Sequence, residues 1–188
     1  MASSPATGQA AKSARTRKTI LDAASQVVRS EGVSNLTLER VAAAAGVSKG
    51  GLLYHYGTKR ELILGLLDAT LKSADRELNQ LSETNERTAG SFAQAYLDFV
   101  RTRQHDSGAA TGVFAAAALE DGDLEPAQAM FAAWQQRLMH DDGLDPTMAL
   151  LARVIGDGLW LIDLFGLAPP SNADRAKLFE LIESLLHD

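Results

Sequence analysis

From Thr16 to Leu186 the apolar residues recur every three to four positions, and no stretch alternates convincingly as a strand would, which confines the chain to α-helices packed on one another. The helix-stopping residues divide this pattern. Ile20, Ala23, Ala24, Val27 and Val28 make the first stripe, over about 16–31, and Gly32 stands where a left-handed residue closes a helix. Thr37 caps a short second helix with Val41, Ala42 and Ala45 inward and Glu39 in its first turn, and Gly46 ends it. Ser48 caps a third helix, Lys49 to about Tyr56, which Gly57 stops. Thr58 to Glu61 reads as a capping box for a long fourth helix carrying Leu62, Ile63, Leu66, Leu67, Leu71, Ala74, Leu78 and Leu81.

Beyond a polar break at Ser82 to Arg87, the spacing predicts helices around Phe92 to Val100, Ala109 to Glu120 and Asp123 to His140. Asp145 with Pro146 then opens a helix to Phe165, ended by Gly166 and Pro169-Pro170, and Ser171 with Asp174 caps a last helix to Leu186. The expected fold is therefore all-α, with about nine helices. Residues 1–14, small and polar, read as a disordered arm, 15–60 as one domain and 61–188 as a larger second one.

Composition narrows the function. The 188 residues contain no cysteine, which excludes disulfides, thiolate metal sites and a cysteine nucleophile and fits a cytoplasmic protein. The arm lacks the apolar region of a signal peptide. The one long apolar run, Met148 to Ala168, carries Arg153, Asp157 and Asp163, each costing about 2.5–3.5 kcal/mol near a bilayer centre, and so reads as a buried or interface helix. The four histidines, 55, 105, 140 and 187, are scattered, and there is no H-E-x-x-H, phosphate loop or nucleophile elbow. No enzyme, metal or cofactor is expected. The formal charge of −6 hides a segregation: residues 1–60 hold nine Lys and Arg against three Asp and Glu, and residues 61–188 hold nine against twenty-one. A basic head on an acidic body points the head at a polyanion and argues against an architectural DNA binder, which would be basic throughout.

Two short helices joined by a minimal Gly-Val turn, 37–46 and 48–56, have the proportions of a helix-turn-helix. At these residues the sequence TRKTILDAASQVVRSEGVSNLTLERVAAAAGVSKGGLLYHYGTKRELI, Thr16 to Ile63, resembles the N-terminal DNA-binding domain of the TetR family of transcriptional regulators. The resemblance rests on I-L-x-A-A in helix 1, T-L-x-x-V-A-x-x-A-G-V-S across helix 2, and G-x-L-x-Y-H-Y in the recognition helix. It implies a sequence-specific regulator, most readily a repressor released from a palindromic operator in double-stranded DNA by an unidentified small-molecule effector. An activator of the same family is the alternative. The sequence departs from the family at Leu53, where an aromatic residue is common, so a phosphate contact made there in some relatives is absent or is supplied by Tyr54.

The residues take roles under this reading. Ser48 caps the recognition helix, and Lys49 becomes the candidate base or phosphate contact at its tip. Gly50 and Gly51 bare the leading surface so that backbone can enter the major groove. Tyr54, His55 and Lys59 stand at family positions for phosphates, with Thr37 and Arg40 gripping the backbone from helix 2. Leu52 and Tyr56 read as core. His55 also reads as a plain surface histidine, and Arg15, Arg17 and Lys18 as minor-groove followers or solvated charges.

In the body, the helix 145–165 is apolar on two sides, Leu150, Val154 and Leu161 on one and Leu151, Ile155 and Ile162 on the other. With the last helix this resembles the family's dimerisation surface, and the expected homodimer contacts are Leu151, Ile155, Gly158, Ile162, Leu178, Ile182 and Leu185. A two-fold dimer also follows from the few base pairs one short helix can read. Phe92, Tyr96, Phe99, Phe114, Met130, Phe131, Trp134 and Trp160 read as core at each position taken singly. The resemblance implies an effector cavity among them. Asp157 pairs with Arg153, whereas Asp163 lacks a basic neighbour at helical spacing and is the candidate carboxylate for a cationic effector or for a polar group across the dimer.

Overall fold

The first helix starts well before the first apolar stripe. In the computed structural model, which describes residues 5–84, 89–102, 112–114, 116–118 and 124–187, α1 spans Pro5–Glu31. Residues 5–14, expected in a disordered arm, are helical: Pro5 stands at a position that needs no amide donor, and the Ala, Gln, Lys and Arg that follow are strong helix formers. Gly32 turns the chain at φ 81°, and a 3₁₀ turn, Val33–Asn35, leads to α2 (Leu38–Ala44) and α3 (Lys49–His55). α4 (Lys59–Thr84) runs straight through the start of the expected polar break at Ser82. The rest of that break lies outside the described residues.

Next come α5 (Ser91–Thr102), α6, whose described residues are 112–114 and 116–118, and α7 (Glu125–Gln136), which continues into a π-helical turn, Arg137–Asp141. α8 (Pro146–Phe165) and α9 (Asn172–His187) complete the chain. Among the described residues every regular element is helical. The starts expected for the helices at Ala109 and Asp123 lie outside them, as do His105, Glu120 and Asp121.

The chain forms two compact units, Met1–Thr70 with Gly112–Leu124, and Leu71–Thr111 with Glu125–Asp188, so the division falls inside α4 and not ahead of it. In the first unit Ile20, Ala24, Leu36, Val41, Leu52, Leu62 and Leu67 are almost wholly buried, each large one contributing about 1.5–3 kcal/mol. Tyr56 is buried with them. A Cβ on Gly65 would fall 2.7 Å from Tyr56 Cε1, so the bare backbone of α4 gives the ring its place. Arg17 stands over the same ring at 5.1 Å.

In the second unit α5 is buried on most of its circumference: Phe92, Ala93, Ala95, Tyr96, Leu97 and Phe99 are all inside. Trp134 of α7 meets Tyr96, Phe99 and Phe131 edge-on, with ring centroids 6.3, 5.8 and 5.5 Å apart. A second group joins Leu97 and Ala152 to Leu159, Phe179 and Ile182, closing α8 and α9 onto α5. Asp142, fifty residues downstream, caps α5 by accepting from the Phe92 and Ala93 amides at 2.7 and 2.9 Å.

Candidate nucleic-acid interface

The local geometry of α2 and α3 follows from their caps. Thr37 Oγ1 accepts from the Arg40 amide at 3.2 Å, and Ser48 Oγ accepts from the Gly51 amide at 3.0 Å, which leaves each hydroxyl proton available to an outside acceptor. Between them Gly46, at φ 66°, makes the turn, and the Val47 amide returns to the Ala42 carbonyl at 3.0 Å. Leu52 and Tyr56 anchor α3 from within. Thr58 and Glu61 both cap the start of α4: Thr58 Oγ1 accepts from the Glu61 amide at 3.1 Å, and the Glu61 carboxylate reaches one residue past the cap to accept from the Gly57 amide at 2.9 Å.

This fixed frame presents a defined outer surface. Thr37, Arg40, Ser48, Lys49 and Gly50 are exposed, Tyr54 is 83 % exposed, and Gly51, His55 and Lys59 are half-buried. Leu53, at the position of the family departure, is also exposed. A Cβ at Gly50 would meet nothing within 4 Å, and one at Gly51 would touch only Ser48 Oγ, at 3.2 Å. The two glycines therefore leave no gap that internal packing requires. The surface is not simply basic. Lys49 Nζ lies 2.6 Å from Glu39 Oε1, and Arg40 pairs with Glu31. Both carboxylates were absent from the expected site, although Glu39 stands at the opening of α2 and could have been weighed as a partner for the tip of α3.

In the second unit the expected effector residues separate. Phe92, Tyr96, Phe99 and Trp134 form one buried cluster with Met130 and Phe131 packed against it, and Trp160 lies 6.1 Å from Phe131. Phe114 belongs to the first unit. Asp163 is not an unpaired carboxylate: both its oxygens accept from the Arg175 guanidinium, with Arg175 Nη1 at 3.0 Å from Oδ2. The partner stands twelve residues away on α9, beyond the reach of helical spacing. The Tyr96 hydroxyl donates to Asp157 Oδ1 at 2.5 Å, and Arg153 Nε to Asp157 Oδ2 at 3.0 Å. Burial first, then the Asp157 charge, drives the Tyr96 phenol far above the usual tyrosine range. A cavity of about 490 Å³ takes in Phe92 and Ala89 but is lined mostly by polar groups such as Asn79, Ser82 and Arg137.

The expected dimer contacts also divide. Ile182 is buried, and Ile155 and Leu178 pack against the same core; Leu151, Gly158 and Ile162 are half-buried. The side of α8 that faces outward is instead Leu150, Val154, Leu161 and Phe165, and on α9 Leu181 and the expected Leu185 are exposed as well.

Two family models match the chain, the bacterial regulatory proteins of the tetR family over residues 20–66 and the tetracyclin repressor-like C-terminal domain over 90–187. The chain belongs to the TetR family. SrpR, an HTH-type transcriptional regulator of Pseudomonas putida, is 40% identical over 96 residues, which are 50% of this chain and 44% of SrpR, so the match spans less than half of that relative. TtgW, an HTH-type transcriptional regulator also of Pseudomonas putida, is 38% identical over 96 residues, 50% of this chain and 70% of TtgW. The crystal structure of the multidrug binding protein EbrR complexed with malachite green superposes with TM-score 0.58 at 26% identity, covering 90% of this chain and 96% of EbrR. A TetR-family N-terminal module thus ends in a helical body of the same family, and the relatives are regulators of transcription. Among the described residues no helix is long and apolar enough to cross a membrane.

Proposed function

We propose that the protein is a repressor that binds a palindromic operator as a homodimer and leaves it when a small molecule binds the helical body. The observation that carries this reading is the outer surface of α2 and α3. Two side-chain caps and two buried anchors hold it rigid, while Lys49, Tyr54 and the bare Gly50 point outward from it. Thr37, Arg40, Ser48, Tyr54, His55 and Lys59 position the protein on phosphates, and the tip of α3 reads bases. The outward apolar side of α8 and α9 supports pairing of two copies, which would set two α3 helices one turn of DNA apart.

The effector is proposed to be an aromatic molecule read at Phe131, Met130 and Trp160, the half-buried fringe of the aromatic cluster. The complex of EbrR with malachite green supports this class. Binding there acts on DNA affinity only through a difference in affinity between two conformations of the dimer.

The test is retardation of the DNA upstream of the protein's own gene. The complex should form at low salt, weaken steeply as salt rises and give a two-fold symmetric footprint. Absence of any complex at low salt would overturn the reading.

A further inference from the structure

A lysine that serves only as a phosphate clamp gains most by standing alone in solvent, and Lys49 does not stand alone. Its ammonium is 2.6 Å from the Glu39 carboxylate, with the two side chains 60 and 62 % exposed. Glu39 lies in the first turn of α2 and Lys49 opens α3, so the pair bridges the turn at Gly46 on the surface that the proposed function assigns to DNA. The hydrogen bond from Lys49 holds the Glu39 carboxyl below its ordinary range.

The chemistry of the two possible DNA partners differs. Phosphate oxygens are anionic acceptors only, so they attract Lys49 and repel the carboxylate beside it. The major-groove edge of a guanine–cytosine pair offers guanine O6 and N7 as acceptors and cytosine N4 as a donor, side by side. A lysine and a carboxylate held together complement that edge and mismatch a phosphate. We propose that Glu39 is a specificity-determining residue, which with Lys49 forms one unit for reading a guanine–cytosine pair and withholds Lys49 from the phosphates of other DNA. The inference rests on α2 and α3 being the DNA-facing surface.

The experiment compares full-length wild type, Glu39→Gln and Lys49→Ala. Each is used to select sites from random duplexes, and its affinity for the wild-type selected duplex and for a scrambled one is followed against salt. Wild type should select a guanine–cytosine pair at one fixed place in each half-site. Glu39→Gln should lose that preference and bind the scrambled duplex about five- to tenfold tighter, with a log–log salt slope steeper by about one for each Lys49 released to a phosphate. Lys49→Ala should lose the preference without the gain on scrambled DNA. An unchanged selected sequence and an unchanged slope in Glu39→Gln would overturn the proposal while leaving the DNA-binding surface standing. Failure of all three proteins to bind any duplex at low salt would overturn that surface and the proposal together.

Discussion

Gly156 and Tyr96 occupy space that a methyl group and a ring cannot share: a Cβ on Gly156 would lie 2.6 Å from Tyr96 Cε1. The bare backbone of α8 is what lets the Tyr96 hydroxyl reach Asp157. Gly156→Ala should therefore displace the ring and cost about 1–3 kcal/mol of unfolding free energy, measured in urea. An ordinary exposed helix-interior glycine would gain up to about 1 kcal/mol from the same change. A gain here would refute the steric account.

Gly50 is the opposite case, because its Cβ would meet nothing within 4 Å. Gly50→Ala should raise stability by about 0.5–1 kcal/mol through helix propensity while weakening operator binding by about 1 kcal/mol or more. Gly51→Leu should abolish binding with little loss of fold, although its Cβ presses on the Ser48 cap at 3.2 Å, which makes Gly50 the cleaner position. Thermal unfolding and gel retardation on the same samples read both effects. Loss of stability in Gly50→Ala would mean that the glycine serves packing.

These two glycines mark what was legible in the sequence. The caps at Thr37, Ser48, Thr58 and Asp145 are short-range signals, each an oxygen two or three residues from the amide it accepts, and the structure shows them where the residue types predict. The α5 cap from Asp142 and the Asp163–Arg175 pair join residues 50 and 12 positions apart, and no local pattern encodes them. The two apolar sides of α8 were both visible. The residues α8 buries most deeply, Ala149, Ala152 and Leu159, lie on neither of them, because periodicity gives the angle between faces and only tertiary packing chooses the one to bury.

Asp142 is buried, and burial pushes its carboxyl above the usual aspartate range against the amides of Phe92 and Ala93, which pull it down. Asp142→Ala strands both buried donors and should cost about 1–3 kcal/mol. The pH dependence has a definite sign. A carboxyl raised in the folded state contributes fully below its ordinary value of 3.8, and that contribution declines as pH rises through the folded value. Wild-type stability relative to Asp142→Asn should thus fall from about pH 4 upward and then level off. Urea titrations across that window check it, and a rise over the same window would contradict the burial account.

Arg175 holds Asp163 with both guanidinium branches, their side chains 6 and 15 % exposed, and Arg175 Nε also donates to the Pro170 carbonyl at 3.2 Å. Removing one partner leaves the other charge buried, so Arg175→Ala and Asp163→Ala should each destabilise by about 3–5 kcal/mol. Replacement of both by leucine should recover most of the loss, since an apolar pair carries no desolvation penalty. Urea is the denaturant of choice, because a salt denaturant would screen the pair. Singles that unfold like wild type would show that the pair contributes nothing.

The last prediction separates the two sides of α8. Val154 is 59 % exposed, with Leu150, Leu161 and Phe165 on the same side and Leu181 at 58 % on α9, whereas Ile182 is 2 % exposed and locked into the core with Phe179 and Leu159. A run of large apolar groups facing water marks a surface built to be covered, and a carboxylate placed in its middle would be desolvated by pairing. Val154→Glu and Leu181→Glu should therefore yield folded monomers by light scattering, with an unfolding transition that no longer depends on protein concentration. Their affinity for a single half-site should persist while binding to the full operator collapses. Ile182→Ala should do the reverse, losing about 2–5 kcal/mol of stability through the cavity it leaves, with the dimer retained wherever the chain is folded. If Val154→Glu stays dimeric and Ile182→Ala alone dissociates, the partner covers the other side, the one the spacing of Leu151, Ile155 and Ile162 suggested.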